Sequence, residues 1–314
     1  MGYSHRAMIT YYFRTIKDTE LKILDEARAG VWIHVTAPTT TDIEILRTQF
    51  GIDEDILEDA QDFFEVPRVE RVGTLTYFFT RYPYHDEQND ADTAPLMMVV
   101  GETFILTLSP RPVPVLERVI AGRIPVVTTQ KSKLFIQFMT LFIRSFDIEL
   151  IRLRKAVHKD RGRLREIGMR GVERLVALEN RLNGIVEALL PTTQWLQLVA
   201  KGSYLQLYSD DIEDMQDLVI DGNQVVDSAR SILKTLQNMR GGLEAILSSR
   251  LNNSLSVLTV LTILLTVPLV VASLYGMNVS LPFQEQSWAF LFIIGFNAIA
   301  LVILVYIFRK KHWF

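Results

Sequence analysis

Two long uncharged apolar runs near the C-terminus constrain this chain more than any other feature. Leu255–Tyr275 reads LSVLTVLTILLTVPLVVASLY and Trp288–Phe308 reads WAFLFIIGFNAIALVILVYIF, without one Asp, Glu, Lys or Arg between them. At about 1.5 Å per residue in a helix, each is long enough to cross a hydrocarbon core of roughly 30 Å. Two buried helices of a large soluble core are the competing explanation, and the short loop joining the runs argues against it. Neither run has the N-terminal placement of a signal peptide. Residues 251–314 carry Glu285, Arg309, Lys310 and Lys311 as their formal charges. The remaining charges sit in the first 250 residues, which read as a soluble, slightly acidic body with a membrane anchor at its end.

The basic residues give an orientation. Arg240 and Arg250 precede the first run, Arg309-Lys310-Lys311-His312 follows the second, and the loop Gly276–Ser287 has neither Lys nor Arg. Positive flanks stay in the cytoplasm, so both termini are expected inside a cell membrane and the loop outside. Tyr275, Trp288, Tyr306 and Trp313 fall near the ends of the runs, as interfacial aromatics do.

Ahead of the anchor, Ala7–Phe13, Val31–Val35, Thr74–Tyr82, Leu96–Val100 and Thr103–Leu108 are rich in strand-forming residues. Asp42–Phe50 and Asp53–Phe63 have helical apolar spacing, with N-cap candidates in Thr39-Thr40-Thr41-Asp42. Strands with interspersed helices predict an α/β domain around a central sheet. Pro110-Arg-Pro112-Val-Pro114 closes it. Lys131–Leu190 and Thr192–Val267 contain no proline and carry apolar residues three and four apart, which predicts long helices. A helix continuous from about Ser209 into the membrane would measure roughly 100 Å, unless Gly222, Gly241 or Gly242 bends it. The expected division is an α/β domain over 1–130, a helical region and stalk over 131–254, a first span over 255–275, an outer loop over 276–287, a second span over 288–308 and a basic tail over 309–314.

Several function classes drop out on composition. With 33 Lys+Arg against 36 Asp+Glu the net charge is −3, which argues against nucleic acid as a partner. There is no cysteine, so thiolate zinc sites and cysteine nucleophiles are excluded. His5, His34, His85, His158 and His312 are scattered and form no soft-ligand cluster for zinc. No Walker-type phosphate loop is present, and no nucleophile–base or paired-carboxylate constellation suggests an enzyme.

Within the first run, Asn252, Leu255, Thr259, Thr262, Thr266, Leu269, Ser273 and Gly276 are three and four residues apart and share one helix face. Such a stripe either lines an aqueous path or packs helices closely together. Pro268 predicts a kink. Two helices cannot enclose a pore, so a conduit would need the same stripe from several copies around an axis.

Tyr275-Gly276-Met277-Asn278, at the outer end of the first of two C-terminal spans, resembles the signature of the CorA family of divalent-cation channels. Val31-Trp32-Ile33 with Pro38-Thr39, Leu57-Glu58-Asp59 and Pro67-Arg68-Val69-Glu70 resemble that family's head-domain landmarks. The resemblance covers essentially the whole chain. It implies a homopentameric funnel of cytosolic α/β heads, a stalk helix continuing into the pore and an outer ring of second spans in the lipid bilayer. It implies a selectivity filter of Gly276, Met277 and Asn278, a polar inner ring at Asn252 and a hydrophobic constriction at Leu255 and Leu258. Thr262, Thr266 and Leu269 follow outward on the same face. Arg309, Lys310 and Lys311 resemble the family's basic collar. Glu58, Asp59 and Asp217 resemble carboxylates that bind regulatory magnesium between subunits.

The resemblance therefore implies a channel for Mg2+, as cargo and as regulator, driven by the membrane potential. Co2+, Ni2+ or Zn2+ as cargo is the alternative within the family, and a non-conducting membrane-anchored binding module the alternative outside it. The outer loop departs from the family's frequent Met-Pro-Glu-Leu: here Val279-Ser-Leu-Pro282-Phe-Gln-Glu285-Gln leaves one acid, which either concentrates cations at the mouth or is a solvated loop charge. Asn297 in the second span is expected to make an interhelical hydrogen bond.

Overall fold

The computed structural model describes residues 9–85, 91–161, 169–279 and 286–311. The chain divides into two compact units, Met1–Asn238 and Met239–Phe314.

The first unit is built on a seven-stranded sheet of order β2-β1-β3-β7-β6-β5-β4. Its strands are β1 (Thr10–Phe13), β2 (Lys22–Leu24), β3 (Val31–Thr36), β4 (Val69–Val72), β5 (Leu75–His85), β6 (Ala91–Val100) and β7 (Phe104–Ser109). Only β3 and β7 pair in parallel; every other neighbouring pair is antiparallel. The central strands are apolar without alternation because both faces are covered. On one face Ile33, Tyr77, Phe79 and Val99 pack with Leu46, Ile56 and Leu57 from two short helices, α1 (Thr40–Phe50) and α2 (Glu54–Asp59). On the other, Trp32 meets Phe138 in a tilted pair at 4.9 Å, and Phe78 meets Phe135 at 4.5 Å and Trp195 at 5.3 Å. Those partners come from α4 (Lys131–Arg161) and α5 (Met169–Ala200); the short α3 (Pro114–Ile120) precedes them.

Local chemistry explains most boundaries. Thr39 and Asp42 form a reciprocal capping box at the start of α1, and Gly51 ends that helix in the left-handed region at φ 63. The expected strand at Ala7–Phe13 begins at Thr10, with Ala7 and Met8 outside the described residues. The helix expected over Asp53–Phe63 stops at Asp59, where Gln61 and Asp62 turn back onto the carbonyls of Glu58 and Asp59. Pro114 opens α3, where its missing N–H costs nothing. Pro191 lies inside α5, and Thr192 and Thr193 donate their hydroxyls to the carbonyls of Ala188 and Leu190 beside it.

A single helix, α6, runs unbroken from Ser209 to Tyr275 through Gly222, Gly241, Gly242 and Pro268. Gly222 is a packing glycine rather than a bend: a Cβ there would sit 2.7 Å from Thr193 Cγ2 and 3.2 Å from Ile143 Cδ1. The second unit holds the C-terminal half of α6 and α7 (Ala289–Lys310). Both helices are long and apolar enough to cross a membrane.

His34 gives the first unit a pH dependence. It is buried in β3 between Thr107 and Thr36, whose hydroxyl oxygens lie 3.0 Å from Nδ1 and 3.1 Å from Nε2. Burial pushes its pKa down to about 4 from 6.5. The neutral ring is favoured in the folded state, so below pH 6.5 the unfolded chain takes up the proton first. This contribution is complete above pH 6.5 and is lost as pH falls towards 4, by up to about 3 kcal/mol. Thermal melts of the full chain should fall across that window, and His34→Gln should remove the part of the fall that His34 causes.

Candidate functional site

The C-terminal half of α6 has a buried and an exposed side, and the exposed side also carries Val257, Leu261, Leu265 and Val270. Ser256, Val260, Ile263, Leu264, Val267, Pro268 and Val271 are wholly or partly buried within the unit. Asn252, Leu255, Leu258, Thr259, Thr262, Thr266, Leu269 and Ser273 are all exposed. At about 100° per residue the two sets centre on opposite sides of the helix. The buried side adjoins α7, and Pro268, Ala272 and Tyr275 line a groove of about 510 Å³ with Phe290, Ile293 and Asn297.

The three threonine hydroxyls of the exposed stripe share one orientation. Thr259 Oγ1 donates to Leu255 O at 2.8 Å, Thr262 Oγ1 to Leu258 O at 2.9 Å and Thr266 Oγ1 to Thr262 O at 2.7 Å. Each hydroxyl proton is spent on the preceding turn, so the oxygens present acceptor lone pairs to the outside. A helix face without formal charge thus becomes a row of acceptors.

At the C-terminal end of α6, Gly276 donates its N–H to Ala272 and Ser273, and Met277 donates to Leu274. These bonds close α6 in a turn, and Met277 and Asn278 stand exposed just beyond it. Gly276 has no left-handed backbone. A Cβ there would lie 3.3 Å from the carbonyl oxygen of Ala272, a tight contact. Glu285 falls outside the described residues. Arg309 and Lys310 occupy the last turn of α7 and Lys311 caps it, all exposed. Among the described residues of the single chain, Asn297 makes no interhelical bond: Nδ2 donates to Ile293 O of its own helix at 3.1 Å, and the buried Oδ1 is without a partner.

The three carboxylates Glu58, Asp59 and Asp217 are not brought together within one chain. Glu58 and Asp59 end α2, whereas Asp217 is exposed on α6 beside Asp214 and Asp221 in a shallow cleft shared with Arg144 of α4. No three acidic or histidine side chains among the described residues are close enough to hold a metal ion. Asp59 also has a resident cation that the sequence reading missed. Arg68 bonds to it at 2.7 Å, pairs with Glu65 and with Glu70 at 3.3 Å, and lies 4.0 Å over the Phe79 ring. The signal was Pro67-Arg68-Val69-Glu70 itself, a basic residue flanked by acids at an edge strand.

Comparison with known proteins adds three findings. The family model for the CorA-like Mg2+ transporter protein matches residues 28–310. The cobalt/magnesium transport protein CorA of Methanocaldococcus jannaschii is 24% identical over 295 residues, covering 90% of this chain and 91% of the relative. That of Thermotoga maritima is 21% identical over 316 residues, covering 96% and 89%. Among solved structures, the complete CorA magnesium transporter from Methanocaldococcus jannaschii superposes with a TM-score of 0.85 at 22% identity, covering 99% of this chain and all of the other.

Proposed function

The chain belongs to the CorA-like Mg2+ transporter family, and from that premise we propose that it is a homo-oligomeric membrane channel passing hydrated Mg2+, and Co2+, along the exposed face of α6. The observation that carries this reading is the common orientation of the stripe hydroxyls. Magnesium gives up its waters reluctantly, and a bound water turns its hydrogens outward. A wall of acceptors without formal charge matches those hydrogens, neither stripping the shell nor holding the ion as a carboxylate ring would. Exposed acceptors facing hydrocarbon would be costly, which favours a water-filled axis shared by several copies. The pentamer that the resemblance implies supplies that axis.

In this reading Asn278 rings the outer entrance with amide carbonyls. Leu255 and Leu258 form a constriction that closes by dewetting. Asn252 lies at the inner end, and the basic tail keeps both termini in the cytoplasm. The membrane potential drives the ion, with no covalent chemistry.

Regulation rests on Glu58 or Asp59 of one copy sharing a cation with Asp217 of the next. Such a cation stabilises the arrangement that brings the carboxylates together, in proportion to its differential affinity for the two states. Bound magnesium would favour the closed channel, and its loss would let the carboxylates repel. Magnesium must compete with Arg68 for Asp59, which suits a sensor of high intracellular concentrations. Asp217→Asn should raise the magnesium midpoint of both protease protection and current about tenfold, the effect of losing some 1.4 kcal/mol of binding. An unchanged midpoint in both assays returns these acids to the solvated surface.

Flux into liposomes containing the purified chain tests the function itself. Mg2+ and Co2+ should enter under an inside-negative potential. Zn2+ entering in preference would move the chain to the zinc branch, and no flux of any cation would leave a membrane-anchored binding module.

A further inference from the structure

Phe64 is the most exposed large apolar side chain among the described residues, at 82%, and Val66 two places on is exposed at 61%. Between and beyond them, Phe63, Glu65 and Pro67 are wholly or partly buried, so this short loop alternates between its two sides. A loose loop would be free to fold such a ring back onto the protein, but this one is braced. Arg81 donates to the carbonyl oxygens of Phe63 and Glu65, at 3.0 and 2.8 Å, one on either side of Phe64. Thr93 holds the rest of that guanidinium, accepting at 2.9 Å on its hydroxyl and 2.8 Å on its carbonyl. The N–H of Phe64 donates to Asp62 Oδ1 at 2.9 Å, and Phe63 meets the Tyr84 ring edge-on. Arg68 ties Glu65 back to Asp59 at the end of α2. An aromatic side chain held rigidly in water has the form of a docking anchor, because little ordering is left to do when a partner arrives.

The same unit carries a recess of matching character. The cleft between α4 and α6, about 410 Å³, has Ile124, Leu141 and Leu218 in its wall. Arg144 is the one cation of that wall, exposed and without an ion pair among the described residues. The loop brings the opposite charge: Asp53–Glu65 has acids at seven positions and neither Lys nor Arg. An apolar knob on one face of a chain and a recess on another make a head-to-tail contact, the kind that closes into a ring.

We propose that Phe64 and Val66 dock onto a second copy of this chain, seated in the cleft of the neighbouring head, with Asp62 beside Arg144. The assignment rests on the reading that Glu58 or Asp59 of one copy meets Asp217 of the next. Phe64 follows Asp59 by five residues on the same braced loop, and Asp217 stands in the cleft wall, so that pairing carries the ring to the recess. Asp214 and Asp221 in the same wall leave the joint acidic, and the contact therefore tightens when a cation is shared across it.

The test is cross-linking between copies of the full chain, which has no cysteine of its own. Val66→Cys with Gln137→Cys keeps Phe64 and puts one thiol on the loop and one on the exposed rim of the cleft. A short bismaleimide should join copies into a ladder on denaturing gels, with a yield that rises with magnesium. Adding Phe64→Ala should cut that yield at least tenfold while circular dichroism shows the variant folded. Glu58→Cys with Asp217→Cys tests the underlying pairing separately. A ladder from that second pair alone would overturn the docking assignment and leave the carboxylate pairing standing. A ladder from the first pair that is indifferent to Phe64→Ala would overturn it as well, and ladders from neither pair would overturn both.

Discussion

Asn278→Ala should abolish selective magnesium flux while leaving the oligomer assembled. Asn278 is exposed immediately beyond the turn that ends α6, so its side chain supports no packing within the chain and its loss should not unfold the protein. In the proposed channel, what is lost is the ring of amide carbonyls that would accept from the waters of an arriving ion. Hydrogen bonds to charged partners contribute about 1.5–3 kcal/mol each. Raising the entrance barrier by only about 3 kcal/mol slows passage roughly a hundredfold. Flux assays on the assembled variant should therefore read at the background of empty liposomes for Mg2+. Normal flux with unchanged ion preference would remove Asn278 from the filter.

Leu258→Asn should have an effect of similar size and opposite sign. Leu255 and Leu258 are exposed on the stripe side at 51% and 59%, as residues awaiting partners from other copies would be. A ring of leucines keeps a narrow constriction dry, and an amide keeps it wet. The variant should conduct at magnesium concentrations that silence the parent, with leak currents at least tenfold above it. Leu255→Asn should behave alike. If both variants close as fully as the parent, the gate lies elsewhere along the stripe.

The parts of this protein legible in its sequence are those where one force dominates. The covered sheet shows itself through strands apolar on both faces, such as Phe104–Ser109. The spans show themselves by length without charge. Edge elements are harder to see. In β2, Lys22–Leu24, and β4, Val69–Val72, charged residues protect the open edges and disguise the strands. Gly222 looks like a bend in sequence because nothing local reveals Thr193 and Ile143 against it.

The candidate site divides in the same way. The position of Asn278 follows from a motif at the end of a span, and the stripe follows from spacing. The direction of the threonine hydroxyls does not, since it is set by carbonyls one turn earlier. Nor does spacing reveal Arg68 against Asp59, nine residues away, because the bond depends on how the chain turns after α2. Whether Asp217 meets Glu58 or Asp59 depends on contacts between copies, which no helical period within one copy encodes.

The central claim is that the exposed face of α6 borders water while the face towards α7 does not. The chain has no cysteine, so single cysteines can be placed without a background. The decisive measurement is the rate at which a membrane-impermeant, charged thiol reagent modifies Thr262→Cys and Thr266→Cys, compared with Val260→Cys and Val267→Cys, in liposomes conducting magnesium. The account predicts rapid modification at positions 262 and 266 with block of Mg2+ flux, and little reaction at 260 and 267. Equal reactivity on both faces, or a stripe that reacts no faster than the α7 side, would contradict it.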